Sequence, residues 1–156
     1  VPLGLRPLSL ADLPLAAELL LATNAGPPLA ELAADLHRSL ERWPTLQIGA
    51  YDGERLAGLV AGRLDRADPT LGWSDDIVLA PIYRKHGLGG RLIEAQLAAF
   101  RALGCSRVRG LSPDSLVAQV SFFERYGFRV VGEEIAHGLW GVRDGERVQI
   151  TECRLT

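Results

Sequence analysis

One stretch constrains this chain more than any other: residues 75–91, DDIVLAPIYRKHGLGGR, in which a buried-strand pattern passes through Pro81 into a glycine-rich basic turn that opens an amphipathic helix. Gly87, Gly89 and Gly90 withhold side chains where the helix begins. Backbone N–H groups there can approach an anion that the positive end of the helix dipole also favours. Arg84, Lys85, His86 and Arg91 place donors and positive charge around the same turn, and Lys85 is the chain's only lysine. The chemistry is that of a pyrophosphate cradle.

Two well-known phosphate-binding turns do not fit. A P-loop needs G-x-x-x-x-G-K-[ST] with a hydroxyl for magnesium, and here Leu92 follows Arg91. A dinucleotide fold needs G-x-G-x-x-G with an acidic residue about 20 positions on, and the spacing of Gly87, Gly89 and Gly90 does not supply it. The pattern that fits is R-x-x-G-x-G, Arg84-Lys85-His86-Gly87-Leu88-Gly89, after a strand ending in Ile77-Val78-Leu79-Ala80-Pro81. It resembles the acetyl-CoA signature of the GCN5-related N-acetyltransferase (GNAT) family. Downstream, Phe122-Phe123-Glu124-Arg125-Tyr126-Gly127-Phe128 is similar to the segment that ends a helix in the same family.

With 156 residues the chain fits one domain with one sizeable core, residues 1–156. A net charge of −2 and a pI near 5.9 argue against a nucleic-acid platform. Cys105 and Cys153 lack metal-ligand spacing and read as buried, reduced thiols, so no metal is expected and the cytoplasm is the expected compartment. The opening VPLGLRPLSL has no basic segment followed by an unbroken apolar core, so no signal peptide is expected. Residues 13–22, the most apolar run, contain Glu18 and are too short to span a bilayer, so no membrane partner is expected.

Along the chain the patterns predict a strand at 3–8, a helix to Thr23 opened by Ser9-x-x-Asp12, a break at 24–28 and a helix over 29–42 ended by Trp43-Pro44. A hairpin follows, 46–51 and 56–64 around Asp52-Gly53. Then comes a strand at 73–80 and a helix over 88–103, stopped by Gly104, with Leu88, Leu92, Ala95, Ala99 and Leu103 on one face. A strand at 107–111, a helix over 113–126, and strands at 128–137 and 147–154 complete the chain. The order is β-α-α-β-β-β-α-β-α-β-β. The resemblance implies the same order in one α/β (α+β) domain, with helices on both faces of a mixed, mostly antiparallel sheet.

The resemblance further implies that acetyl-CoA is co-substrate and that an amine acceptor attacks its thioester directly. Backbone groups of Ile77, Val78 and Leu79 would receive the pantetheine arm, and Arg84, Lys85, His86, Gly87, Leu88, Gly89, Gly90 and Arg91 the pyrophosphate. The N–H of Leu79 would polarise the thioester carbonyl. Acyl transfer also needs a base or a water chain to one, and alternation along the strand sends Asp75 and Asp76 to opposite faces, so that either one of them faces the cleft as the base or both are simply a charged strand entry. The family's usual tyrosine acid corresponds to Phe123, which has no proton to give, and its Asn and Ala correspond to Leu116 and Gln119. Tyr126 either substitutes or packs, or water protonates the thiolate. Trp43, Trp73 and Trp140 either line an acceptor pocket or pack, and acidic Glu31, Asp35, Glu133 and Glu134 either attract a cationic amine or face solvent. Family analogy also suggests a homodimer, and the missing tyrosine keeps open a non-catalytic acyl-CoA-binding module.

Overall fold

The computed structural model describes residues 3–23, 29–114, 116–138 and 142–155. The break expected at 24–28 and Trp140 lie outside the described residues. Ser9 and Asp12 form the expected cap, the Ser9 N–H and hydroxyl both donating to Asp12 Oδ2 at 3.0 and 2.9 Å. Strand β1 (Gly4–Pro7) precedes it, and a 3₁₀ turn (Leu10–Asp12) leads into α1 (Leu13–Thr23). Helix α2 (Leu29–Arg42) has the expected bounds, and Pro44 turns its end into a 3₁₀ segment.

Strands β2 (Ile48–Asp52) and β3 (Arg55–Leu64) form the hairpin, with Gly53 at φ +62°. Strand β4 (Leu71–Leu79), helix α3 (Leu88–Ala102), strand β5 (Arg107–Pro113), helix α4 (Val117–Glu124) and strands β6 (Phe128–Ile135) and β7 (Arg147–Arg154) complete the order. Strand β5 runs two residues past its expected end because Ser112 and Pro113 pair with Gln149 and Val148 of β7. Helix α4 therefore starts later than its apolar pattern suggests.

The seven strands form one sheet in the order β1-β2-β3-β4-β5-β7-β6, and every pairing is antiparallel except β4–β5. Helices cover both faces. On one face Leu20, Leu32, Leu36 and Leu40 of α1 and α2 pack on Tyr51, Leu59 and Val78. Ala16 and Ala17 of α1 are buried, and their small side chains let the helix lie close to its neighbours. On the other face Ile93, Leu97 and Phe100 of α3 pack with Phe123, Phe128 and Val108.

Leu88 and Leu92 meet Ile48, Ala50 and Val60. Leu103, expected on the buried stripe of α3, is 43% exposed, because the buried face is centred on Ile93, Gln96, Leu97 and Phe100 instead. Each fully buried large apolar side chain contributes about 1.5–3 kcal/mol, so these two layers are the main source of stability. Cys105 and Cys153 are buried and unpaired, as the sequence suggests.

Candidate active site

The two parallel strands part. Pairing between β4 and β5 runs from Leu71↔Arg107 to Ser74↔Gly110 and stops there, although β4 continues to Leu79 and β5 to Pro113. Beyond Ser74, β4 stays paired with β3 on its other edge, through Asp76↔Ala61 to Leu79↔Gly58. The N–H of Ala80 donates to Ala57 O at 2.8 Å, which sets the phase of that ladder. Backbone groups of Asp76 and Val78 therefore point to β3, while those of Ile77 and Leu79 point into the gap left by β5. Of the three residues expected to offer backbone groups, Ile77 and Leu79 face the gap. Val78 instead spends its groups on the ladder and its side chain on the α1–α2 core.

At the mouth of the gap stands the glycine turn. Lys85 and Gly87 both have positive φ, +65° and +79°, and Gly87 is the N-cap of α3. The first helical bond runs from Arg91 N–H to Gly87 O, so the N–H groups of Leu88, Gly89 and Gly90 lie in the unpaired first turn. Gly89 and Gly90 are needed for close approach. A Cβ on Gly89 would stand 3.3 Å from the Phe122 ring, and one on Gly90 would collide with the Tyr126 hydroxyl.

Arg84, Lys85 and His86 lie around this turn, all three exposed. Arg84 Nε also donates to Leu79 O at 3.2 Å, which fastens the turn to the end of β4. Arg91 is directed elsewhere, donating to Leu3 O at 2.9 Å. Tyr83 donates to Asp52 Oδ2 at 2.7 Å and ties the turn to the β2–β3 hairpin.

At the deep end the structure corrects the alternation argument. Ala61 pairs with Asp76 and Gly62 with Ser74, so Asp75 is an extra residue on β4, a β-bulge. The bulge resets the alternation, and Asp75 and Asp76 both line one cleft of about 990 Å³ with Arg63, Leu111, Leu116 and Gln119. Arg63 Nε lies 3.1 Å from Asp75 Oδ2. Burial pushes Asp75 up to about 7, Arg63 opposes the shift and the neighbouring Asp76 adds to it. Burial also raises Asp76. Because 36% of the Asp75 side chain still faces the cleft, the shift is largest when an occupant displaces water.

The wall opposite is formed by β5 and α4. Phe123 is 3% exposed, and its ring tip lies 4.0 Å from where a Cβ on Gly110 would stand, beside the last paired residues. It occupies the place the resemblance gives to the tyrosine acid. The Tyr126 hydroxyl lies instead over Gly90, at the start of α3, and its ring packs against Phe122 at 5.1 Å between centroids. Leu116 is 49% exposed. Trp43 lines the cleft, while Trp73 donates to Asp65 at 2.9 Å. Asp35 lines the cleft but pairs with Arg38, and Glu133 pairs with Arg147 at 3.8 Å. Glu31 and Glu134 are exposed.

Sequence reasoning missed Arg63. Arg63 sits in the otherwise apolar run 56–64, which is the one signal that marked it. Among the described residues no cluster of metal-binding side chains occurs, and no helix is long and apolar enough to cross a membrane.

The sheet thus parts between two parallel strands, with the unpaired N–H groups of a helix start at one end of the gap and two carboxylates at the other. The chain belongs to the acetyltransferase (GNAT) family, whose model matches residues 16–128. By sequence, no curated protein matches it significantly. Among solved structures it is similar to Ard1 from Thermoplasma volcanium, with TM-score 0.86 and 18% identity over 100% of this chain and 99% of that one. It is also similar to the ribosomal-protein-S18-alanine N-acetyltransferase from Escherichia coli, with TM-score 0.80 and 18% identity over 97% and 93%. A phosphinothricin acetyltransferase from Sinorhizobium meliloti in complex with acetyl-CoA gives TM-score 0.78 and 20% identity over 99% and 89%.

Proposed function

We propose that the protein is an acetyl-CoA-dependent N-acetyltransferase acting on a primary amine by direct attack. The observation that carries this reading is the end of β4–β5 pairing at Ser74↔Gly110 while both strands run on. The gap leaves the backbone of Ile77 and the N–H of Leu79 open to receive an extended amide-bearing arm, as an added strand would be received, while Leu79 O accepts from Arg84. The first turn of α3, with Arg84 and Lys85 beside it, suits the pyrophosphate. Acetyl-CoA supplies an activated acetyl group as a thioester.

The Leu79 N–H then stands where a donor can polarise a carbonyl. The Asp75–Asp76 pair takes the proton that the attacking amine gives up, and a carboxyl held near 7 is suited to a base working near neutral pH. The cleft beside α2 admits the acceptor. The E. coli neighbour, named for an alanine of a ribosomal protein, and the S. meliloti neighbour, named for phosphinothricin, share this fold with different acceptors, so the acceptor is a property of the cleft.

Phe123 favours a second reading, a non-catalytic acyl-CoA-binding module. Isothermal titration with acetyl-CoA, dephospho-CoA and a longer acyl-CoA tests the first part. Micromolar binding is expected, and no binding to any of the three removes both readings. Mass spectrometry of an amine panel then separates them: acetylated product supports the enzyme, and tight binding without product on any amine supports the module.

A further inference from the structure

The cleft that holds Asp75 and Asp76 also carries four arginines: Arg38 and Arg42 on α2, Arg63 on β3 and Arg66 just beyond β3. Two of them are already paired, Arg38 with Asp35 and Arg63 with Asp75 at 3.1 Å. The side chains of Arg42 and Arg66, both exposed, have no ion pair or hydrogen bond among the described residues. Arg42 is held in place all the same, its guanidinium lying over the Trp43 ring, 4.8 Å from the centroid. Such stacking uses the face of the guanidinium and leaves its N–H edge open to an oxyacid.

The acidic side chains do not offset these two charges. Asp35 is bonded to Arg38, and Glu41 faces His37, one turn back along α2 and 2.9 Å away. Glu31, Glu133 and Glu134, which could have drawn a polycationic amine, do not line the cleft. At the deep end burial holds Asp75 and Asp76 above the usual carboxylate range, so the pair carries less than its full two negative charges near neutral pH. The cleft is therefore graded, with proton-accepting carboxylates at depth and two uncommitted guanidinium groups nearer solvent. Arg66 stands three residues past Arg63, the partner of Asp75, a backbone span of at most about 10 Å. A cleft wall of one charge draws the opposite charge.

Resting on the acetyltransferase reading above, we propose that the acceptor is an anionic amine: a primary amine joined through a few bonds to a carboxylate or phosphate, the oxyacid seated by Arg42 and Arg66 while the amine lies against Asp75 and Asp76. The two arginines decide which amine is taken and have no part in the bond changes. The amine's C–N bond forms, the C–S bond breaks with its electron pair going to sulfur, and the amine's proton goes to the carboxylate pair.

The test is steady-state acetylation of matched amines by the full chain with acetyl-CoA: aminohexanoate against aminohexanamide, aminopropyl phosphate against aminopropanol, and Ala-Glu against Ala-Gln. In at least one pair the anionic member is expected to have the higher kcat/KM, about five- to twentyfold, the size of two partly exposed charge pairs. Added salt should narrow the difference. The pair that shows it tells carboxylate from phosphate and a free amino acid from a peptide end. Arg42→Gln and Arg66→Gln together should bring the ratio close to one, and Lys at both positions should keep most of it, whereas a merely structural role would lower both members of a pair alike. A neutral member equal to or better than its anionic partner in all three pairs, or a ratio unmoved by the double Gln variant, overturns the assignment. So does acetyl-CoA binding, followed by calorimetry, with no product from any anionic amine. Failure to bind acetyl-CoA at all overturns the acetyltransferase reading itself.

Discussion

At the mouth of the β4–β5 gap the available groups are backbone N–H groups of the first turn of α3, offered by Leu88, Gly89 and Gly90. At the deep end they are side chains: Asp75 and Asp76 on one wall, Leu111, Leu116 and Gln119 on the other. The mouth depends on local conformation, a helix start and two positive-φ residues. The deep end depends on register between strands, because the bulge at Asp75 exists only against β3. A motif specifies the first kind of site, and only the assembled sheet specifies the second.

The largest effect is expected at the deep end. Replacing both Asp75 and Asp76 by Asn should lower kcat/KM by about 10²–10⁴, the usual range for losing a general base, with acetyl-CoA affinity within about twofold. Steady-state kinetics and calorimetry measure the two. In wild type the rate should rise with pH through about 7 and level off above, because the base must be deprotonated. A pH-independent rate would remove the carboxylates from the reaction.

At the mouth, reversing charge at both Arg84 and Lys85 with Glu should weaken acetyl-CoA about 10- to 100-fold, less so in high salt, with kcat changed little. An equal loss of kcat at saturation would show that the two ends of the gap are not separable. Gly90→Ala should lower stability by about 1–3 kcal/mol through the clash with the Tyr126 hydroxyl, and adding Tyr126→Phe should restore part of it. Thermal or denaturant unfolding reads this out.

Stability should also depend on pH through Asp75. Its folded pKa, about 7, lies above the ordinary carboxylate value near 3.9, so the folded state holds the proton more tightly. Stability from this group is present below about 4 and is lost as pH rises through about 7. The melting temperature of Asp75→Asn should therefore gain on wild type between about pH 5 and pH 8; a constant difference would mean the carboxyl is not shifted. The smallest effect is expected for Tyr126→Phe alone, less than about twofold in kcat, since the hydroxyl lies over α3 and away from the carboxylates. A loss of about tenfold would make Tyr126 the acid.

Much of the fold was legible in the chain. The bounds of α2 and β7 match the pattern, and Gly104, at φ +89°, ends α3 as expected. Periodicity and turn chemistry are local, so they survive in a linear reading. The start of α4 was misplaced because pairing with β7 holds Ser112 and Pro113 in β5 against their local pattern. Arg91 looked like part of the phosphate turn by its position but reaches Leu3, a partner 88 residues away.

By itself the sequence determined the glycine turn, the order of elements and the absence of a hydroxyl at Phe123, because each follows from residue identity and short-range geometry. Only the tertiary structure decided that Asp75 and Asp76 share a cleft and that Val78 turns its backbone to β3. Both depend on register and on the parting of two strands. Those are relations between distant segments, and no local pattern carries them.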